Sequence, residues 1–114
     1  MTEDIRVAFD DLAAFIASAF RACGMTDDRA ATMGRLMASA DLGGQDGHGA
    51  FRLPGYIKRL RDGGMVPNPE IRVIEERAAT ALIDGGNGPG HLVMSRAAEI
   101  AMEKAATTGV AWVG

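Results

Sequence analysis

Apolar residues recur at helical spacing in the first third of the chain. Leu12, Phe15, Ile16, Ala19 and Phe20 stand at i, i+3, i+4, i+7 and i+8, which lays one stripe along a helix. Asp10 or Asp11 suits the start of that helix, and Gly24 stands where a left-handed residue would end it. A second helix is predicted after Thr26 as N-cap. Asp27 and Asp28 meet the positive end of its dipole, and Ala30, Met33, Met37 and Ala40 share a face. Gly43-Gly44 breaks it. The stretch Gln45 to Tyr56 is irregular, holding Gly47, Gly49, Gly55 and Pro54. It leads into a helical run, Tyr56 to Arg61, with Pro54 in the first turn, where a missing N–H costs nothing.

Beyond Gly63-Gly64 the pattern changes. Pro67 and Pro69 push their predecessors toward extended geometry. Ile71 to Ile74 and Thr80 to Ile83 read as short strands joined by a charged turn, Glu75-Glu76-Arg77, an antiparallel hairpin. A glycine-rich loop, Asp84 to Gly90, precedes an alanine-rich helix from Leu92 to Thr107, with Val93, Ala97, Ile100 and Ala101 on one side. Gly109 caps it. Val110 to Val113 then begins an apolar strand that reads as cut, with no partner behind it. The order of helices, hairpin, helix and strand predicts an α+β fold, divided at the Gly63-Gly64 and proline segment into residues 1–64 and 65–114.

Composition narrows the function. The 114 residues are 47% apolar and 24% charged with a net charge of −3, an ordinary globular balance that lacks the concentrated basic field of a nucleic-acid binder. Thr2-Glu3-Asp4 is not the start of a secretory signal, and no apolar run approaches a membrane span. The lone cysteine, Cys23, reads as a small buried hydrophobe and permits no internal disulfide. A cytoplasmic protein is expected, with neither nucleic acid nor membrane as partner. Two histidines without a cysteine or carboxylate cluster predict no metal site.

Two segments carry candidate chemistry. Gly85-x-x-Gly88-x-Gly90 before a helix invites a phosphate-cradling reading, but its register is not G-x-G-x-x-G and no G-K-[ST] follows. A strand-to-helix turn is the preferred reading. His91 there reads as a solvated or capping residue. The other segment is Asp46 to Tyr56. His48, Arg52 and Tyr56 are spaced by four and can converge across a turn and a helix. Carbonyl reduction needs a proton delivered to oxygen, which suits the near-neutral pKa of histidine. A neighbouring carboxylate suits the planar fork of arginine. Asp46 can orient the imidazole. In the plainer alternative, His48 caps a turn, Arg52 pairs with an acid and Tyr56 packs in the core.

The series Ala40-Asp41-Leu42, Gly44, Asp46, His48-Gly49, Arg52-Leu53-Pro54 and Tyr56 resembles the N-terminal signature of the malate/L-lactate dehydrogenase family, which includes sulfolactate and ureidoglycolate dehydrogenases. Gly64-x-x-Pro67-Asn68-Pro69, then Asp84-Gly85-x-Asn87-Gly88-x-Gly90, then Ala97 to Lys104 with Gly109-Val110, resemble its following segments in order. The resemblance implies oxidoreduction of 2-hydroxy or 2-oxo acids with NAD or NADP, on a fold that is not Rossmann and in homodimers. It implies that His48 is the acid/base, that Arg52 holds the substrate carboxylate and that Tyr56 lines the pocket. It leaves the cofactor-binding residues unassigned, since most of that site is expected beyond residue 114.

Two positions depart from the family pattern. Gly47 stands where the family usually has serine, and Gly43 where it often has arginine. The chain is expected to be an N-terminal portion of an enzyme, with residues 65–114 the start of its cofactor domain and little activity alone. The alternative is an inactive truncated paralogue serving as a helical dimerisation or regulatory module. A downstream reading frame encoding Asn-x-His-Phe-Gly would separate the two.

Overall fold

The computed structural model describes residues 3–114, which fall into two compact units that divide between Gly64 and Met65. In the first, α1 (Phe9–Ala22) and α2 (Asp27–Leu42) are followed by two single-turn 3-10 helices, Asp46–His48 and Ala50–Arg52, and by α3 (Leu53–Arg61). In the second, β1 (Arg72–Glu76) and β2 (Thr80–Asp84) precede α4 (Gly90–Thr108) and β3 (Trp112–Val113). Helices and a small mixed sheet make this an α+β fold, as the pattern predicts.

α1 and α2 pack closely because Gly34 of α2 lies against the backbone of α1, where a Cβ would overlap the carbonyl oxygen of Ala13. Ile16, Ala17 and Phe20 of α1 are buried with Ala30, Met33, Met37 and Ala38 of α2. Leu53 and Leu60 are the buried residues of α3. Phe15 departs from its predicted stripe: it is 64% exposed, and Ala17 is buried in its stead. A wide apolar face has more candidates than α2 covers, and the small Ala17 suits a close crossing.

Helix ends explain the turns. Ala8, not Asp10 or Asp11, is the N-cap of α1; both acids sit in its first turn. Gly24 has φ +90° and Gly44 φ +78° after α2, a geometry only glycine adopts without steric cost. Thr26 is the N-cap of α2, as predicted, yet makes no side-chain cap bond. Its hydroxyl instead donates to the Asp28 carboxylate and holds that acid below the usual range. Cys23 is half-buried at the C-cap of α1.

In the second unit β1 and β2 pair antiparallel, with a bulge between Val73 and Glu75. The extra bulge residue carries the strand through Glu76, so Glu75 and Glu76 belong to β1 rather than to the turn predicted there. β3 also corrects its reading. It is partnered, pairing in parallel with β2 through Thr80–Trp112 and Ala81–Val113. A parallel pair needs a crossover, and α4, packed on β2 and β3, supplies it. α4 begins at Gly90, two residues before the predicted start, and ends at Gly109 with φ +85°. Lys104, its side chain only 11% exposed, donates to Glu76 Oε1 at 2.7 Å and to the Arg77 carbonyl at 2.8 Å. The helix is thereby tied to the end of β1.

Candidate active-site turn

The sequence after α2 turns back on itself. Gly44 N–H donates to the Asp41 carbonyl at 3.0 Å and Gln45 N–H to the Ala40 carbonyl at 2.7 Å. These bonds close the last turn of α2 and bring residues 46–52 beside it. His48 ends the first 3-10 turn, its N–H bonded to the Gln45 carbonyl at 2.9 Å. The Arg52 N–H donates to the Gly49 carbonyl at 3.0 Å within the second.

Two side chains close this turn. Asp41 Oδ2 accepts the Ala50 N–H at 2.8 Å, and its carboxylate fills the space that a Cβ on Gly49 would need. Arg52 Nε donates to the Gly47 carbonyl at 2.9 Å. His48 and Arg52 are both exposed. With Nε engaged, the terminal nitrogens of Arg52 make no hydrogen bond among the described residues. Those two nitrogens are available as a fork for a carboxylate.

Tyr56 is half-buried on α3, its ring 6.4 Å from that of Phe20 and tilted by 44°. Its other side borders a shallow cleft of about 290 Å³ with Arg52, Gly55 and Arg59. Two arginines and no acid line that cleft, in a chain whose net charge is negative. It suits an anion. Arg52 and Tyr56 thus meet in one cleft, whereas His48 is joined to them through the backbone of Gly47, to which Arg52 is bonded. Asp46 makes no such connection. It lines a separate groove with Arg6, Asp41 and Leu42, and among the described residues it forms no hydrogen bond or ion pair with His48.

Asp41 entered the sequence reading only as part of the family signature, with no role assigned to it. A signal was present: an acid in the last turn of a helix faces the negative end of the dipole, so it needs a specific donor. Here the donor is the Ala50 amide, nine residues on. Gly47 has nothing within 4 Å of where a Cβ would stand.

Packing within the second unit accounts for three glycines of its loop. A Cβ on Gly85 would meet Val93, one on Gly86 the Glu70 carbonyl oxygen, and one on Gly88 the buried Pro69. Asp84 accepts the Gly86 N–H at 2.8 Å, which adds a negative charge where a phosphate would have to approach. These three glycines admit the chain's own segments, in keeping with a strand-to-helix turn. His91, in the first turn of α4, is half-buried, and its carbonyl accepts the Ser95 hydroxyl at 2.7 Å. Among the described residues no three histidine, cysteine or acidic side chains gather as a metal site, and no helix is long and apolar enough to cross a membrane.

The chain, a helical unit with a histidine turn and an arginine-lined cleft followed in sequence by a small α/β unit, matches the malate/L-lactate dehydrogenase model over residues 7–114. The chain belongs to that family of oxidoreductases. It is 38% identical over 106 residues to the malate dehydrogenase of Pyrococcus horikoshii, covering 93% of this chain and 29% of that one. The structure of that enzyme superposes with a TM-score of 0.92 over 96% of this chain and 31% of its own. The L-sulfolactate dehydrogenase of Methanocaldococcus jannaschii is 39% identical over 87 residues, 76% of this chain and 25% of that protein. The ureidoglycolate dehydrogenase (NAD(+)) of Escherichia coli K12 is 33% identical over 91 residues, 80% of this chain and 26% of its own length. The chain spans less than a third of the length of these relatives.

Proposed function

We propose that this chain supplies the proton-transferring and carboxylate-gripping part of a dehydrogenase that interconverts 2-hydroxy and 2-oxo acids with NAD or NADP. The observation that carries the reading is the bond from Arg52 Nε to the Gly47 carbonyl. It anchors a guanidinium fork one residue from His48. His48 is assigned the proton: given to the carbonyl oxygen on reduction and taken from the hydroxyl on oxidation. Arg52 is assigned the carboxylate beside the reacting carbon, and Tyr56 a wall of the same cleft. Asp46 is not given the orienting role, since among the described residues it makes no hydrogen bond or ion pair with His48.

A bound nicotinamide would supply or accept the hydride. Residues 65–114 are read as the beginning of a cofactor domain, most of whose binding residues are assigned to the share of the relatives that this chain does not match. Alone, the 114 residues are expected to turn over little or nothing. The names of the relatives favour small 2-hydroxy acids such as malate or sulfolactate as substrates. We read the enzyme as a cytoplasmic homodimer with neither nucleic acid nor membrane as partner.

The test is a chimera in which residues 7–114 replace the matching segment of the P. horikoshii malate dehydrogenase. It should reduce a 2-oxo acid with NADH or NADPH, and His48→Ala should lower kcat by roughly 10²–10⁴ with the cofactor still bound. Unchanged turnover in that variant would remove His48 from the mechanism.

A further inference from the structure

We infer that Asp41 is a positioning residue, which sets the geometry of His48 and Arg52 from the end of α2. Ala50 opens the helical turn that runs into α3, and a first-turn N–H has no partner within its own helix. Asp41 Oδ2 supplies one at 2.8 Å across nine residues, in the manner of an N-cap contributed by another helix. Gly49, the residue between His48 and Ala50, leaves room for that carboxylate only because it lacks a Cβ. Acid and glycine therefore form a matched pair.

The second closure lies on the other side of His48. Arg52 Nε holds the Gly47 carbonyl at 2.9 Å. His48 and Gly49 thus lie between two fastenings, Asp41 to Ala50 and Arg52 to Gly47. Ala50 and Arg52 belong to one helical turn, so releasing Ala50 frees the start of the turn that aims the Arg52 fork. The consequence for catalysis rests on the roles proposed above for His48 and Arg52. The fastening itself does not, and the two are measured separately.

The experiment is NMR on the 114-residue chain. Solvent exchange is followed at the Ala50 amide and the Arg52 Nε–H, with the core amides of Ile16 and Met33 as the control for folding. Asp41→Ala should speed exchange at both probes about tenfold and leave the core protected. Asp41→Asn keeps an amide oxygen that can accept from Ala50, so both probes should stay within about twofold of the unaltered chain. Gly49→Ala brings a methyl onto the carboxylate and should reproduce the Asp41→Ala result; it decides the matter if Asp41→Ala fails to fold. Faster exchange at Ala50 with Arg52 unaffected would reduce Asp41 to a cap, and protection retained at both probes would remove the fastening. Either outcome overturns the inference. Titration with oxamate, a 2-oxo acid analogue, then reads the function. Its affinity should fall about fivefold or more in Asp41→Ala and hold in Asp41→Asn. Unaltered oxamate affinity in a folded Asp41→Ala would also overturn it. Failure of the parent chain to bind oxamate would instead count against the role of Arg52, while the exchange data still judge Asp41.

Discussion

Arg52 reaches back five residues to donate its Nε–H to the carbonyl oxygen of Gly47, 2.9 Å away. One side chain thereby has two faces: an inner nitrogen that anchors it and an outer pair that can grip a planar anion. Lysine has a single ammonium for both tasks. Arg52→Lys should therefore weaken oxamate binding about tenfold, a loss of roughly 1.4 kcal/mol. Titration of the two proteins decides it, and equal affinities would detach Arg52 from the proposed carboxylate site.

Gly47 tests whether the departure from the family's usual serine is steric. Its Cβ position is open and its φ is not positive. Gly47→Ser should leave stability within about 0.5 kcal/mol of the parent, as at other unconstrained surface positions. In the chimera the restored hydroxyl should alter kcat or KM for the 2-oxo acid. A large fall in the unfolding midpoint would show that the turn depends on glycine.

At Gly34 two effects of opposite sign compete. Alanine raises helix propensity by about 1 kcal/mol. Its methyl, however, would overlap the Ala13 carbonyl oxygen, a backbone atom that moves only if α1 moves, at a typical overpacking cost of about 1–3 kcal/mol. The overlap should win, so Gly34→Ala should lower the denaturant midpoint. A more stable variant would mean that the two helices separate at little cost.

Acid sensitivity should carry a contribution from Asp84. Its carboxylate accepts the Gly86 N–H at 2.8 Å and Arg72 Nη2 at 3.2 Å. These bonds, the backbone one foremost, hold its pKa below the usual range. The folded protein then keeps this charge to lower pH than the unfolded chain. The stabilisation is complete above the usual carboxylate pKa of about 4 and is lost as pH falls through the lower folded value. Asp84→Asn should be less stable at neutral pH, and its stability should fall less steeply on acidification below about pH 4. Parallel melting-temperature curves for the two proteins would dismiss the contribution.

Much of this was legible one residue at a time. Local rules placed the left-handed glycines at 24 and 109, the cap position at Thr26 and Pro54 in the first turn of α3, because each depends on backbone geometry within a few positions. Motif order carried the family, which the match over residues 7–114 bears out. Other features depended on partners distant in sequence. Phe15 and Ala17 differ in burial only because of where α2 crosses. β3 has a partner because α4 returns the chain parallel to β2, and Glu75 joins β1 through a bulge.

The turn around His48 divides in the same way. By itself the sequence determined which residue types are present: an imidazole for a proton, a guanidinium for a carboxylate, and glycines that let the backbone bend. Only the tertiary structure decided their companions. Asp41 fastens the turn, Arg52 bonds to Gly47, and Asp46 lines a groove with Arg6 and Leu42 without a bond to His48. A hydrogen bond between residues nine apart depends on the path of the chain between them, and periodicity does not encode that path.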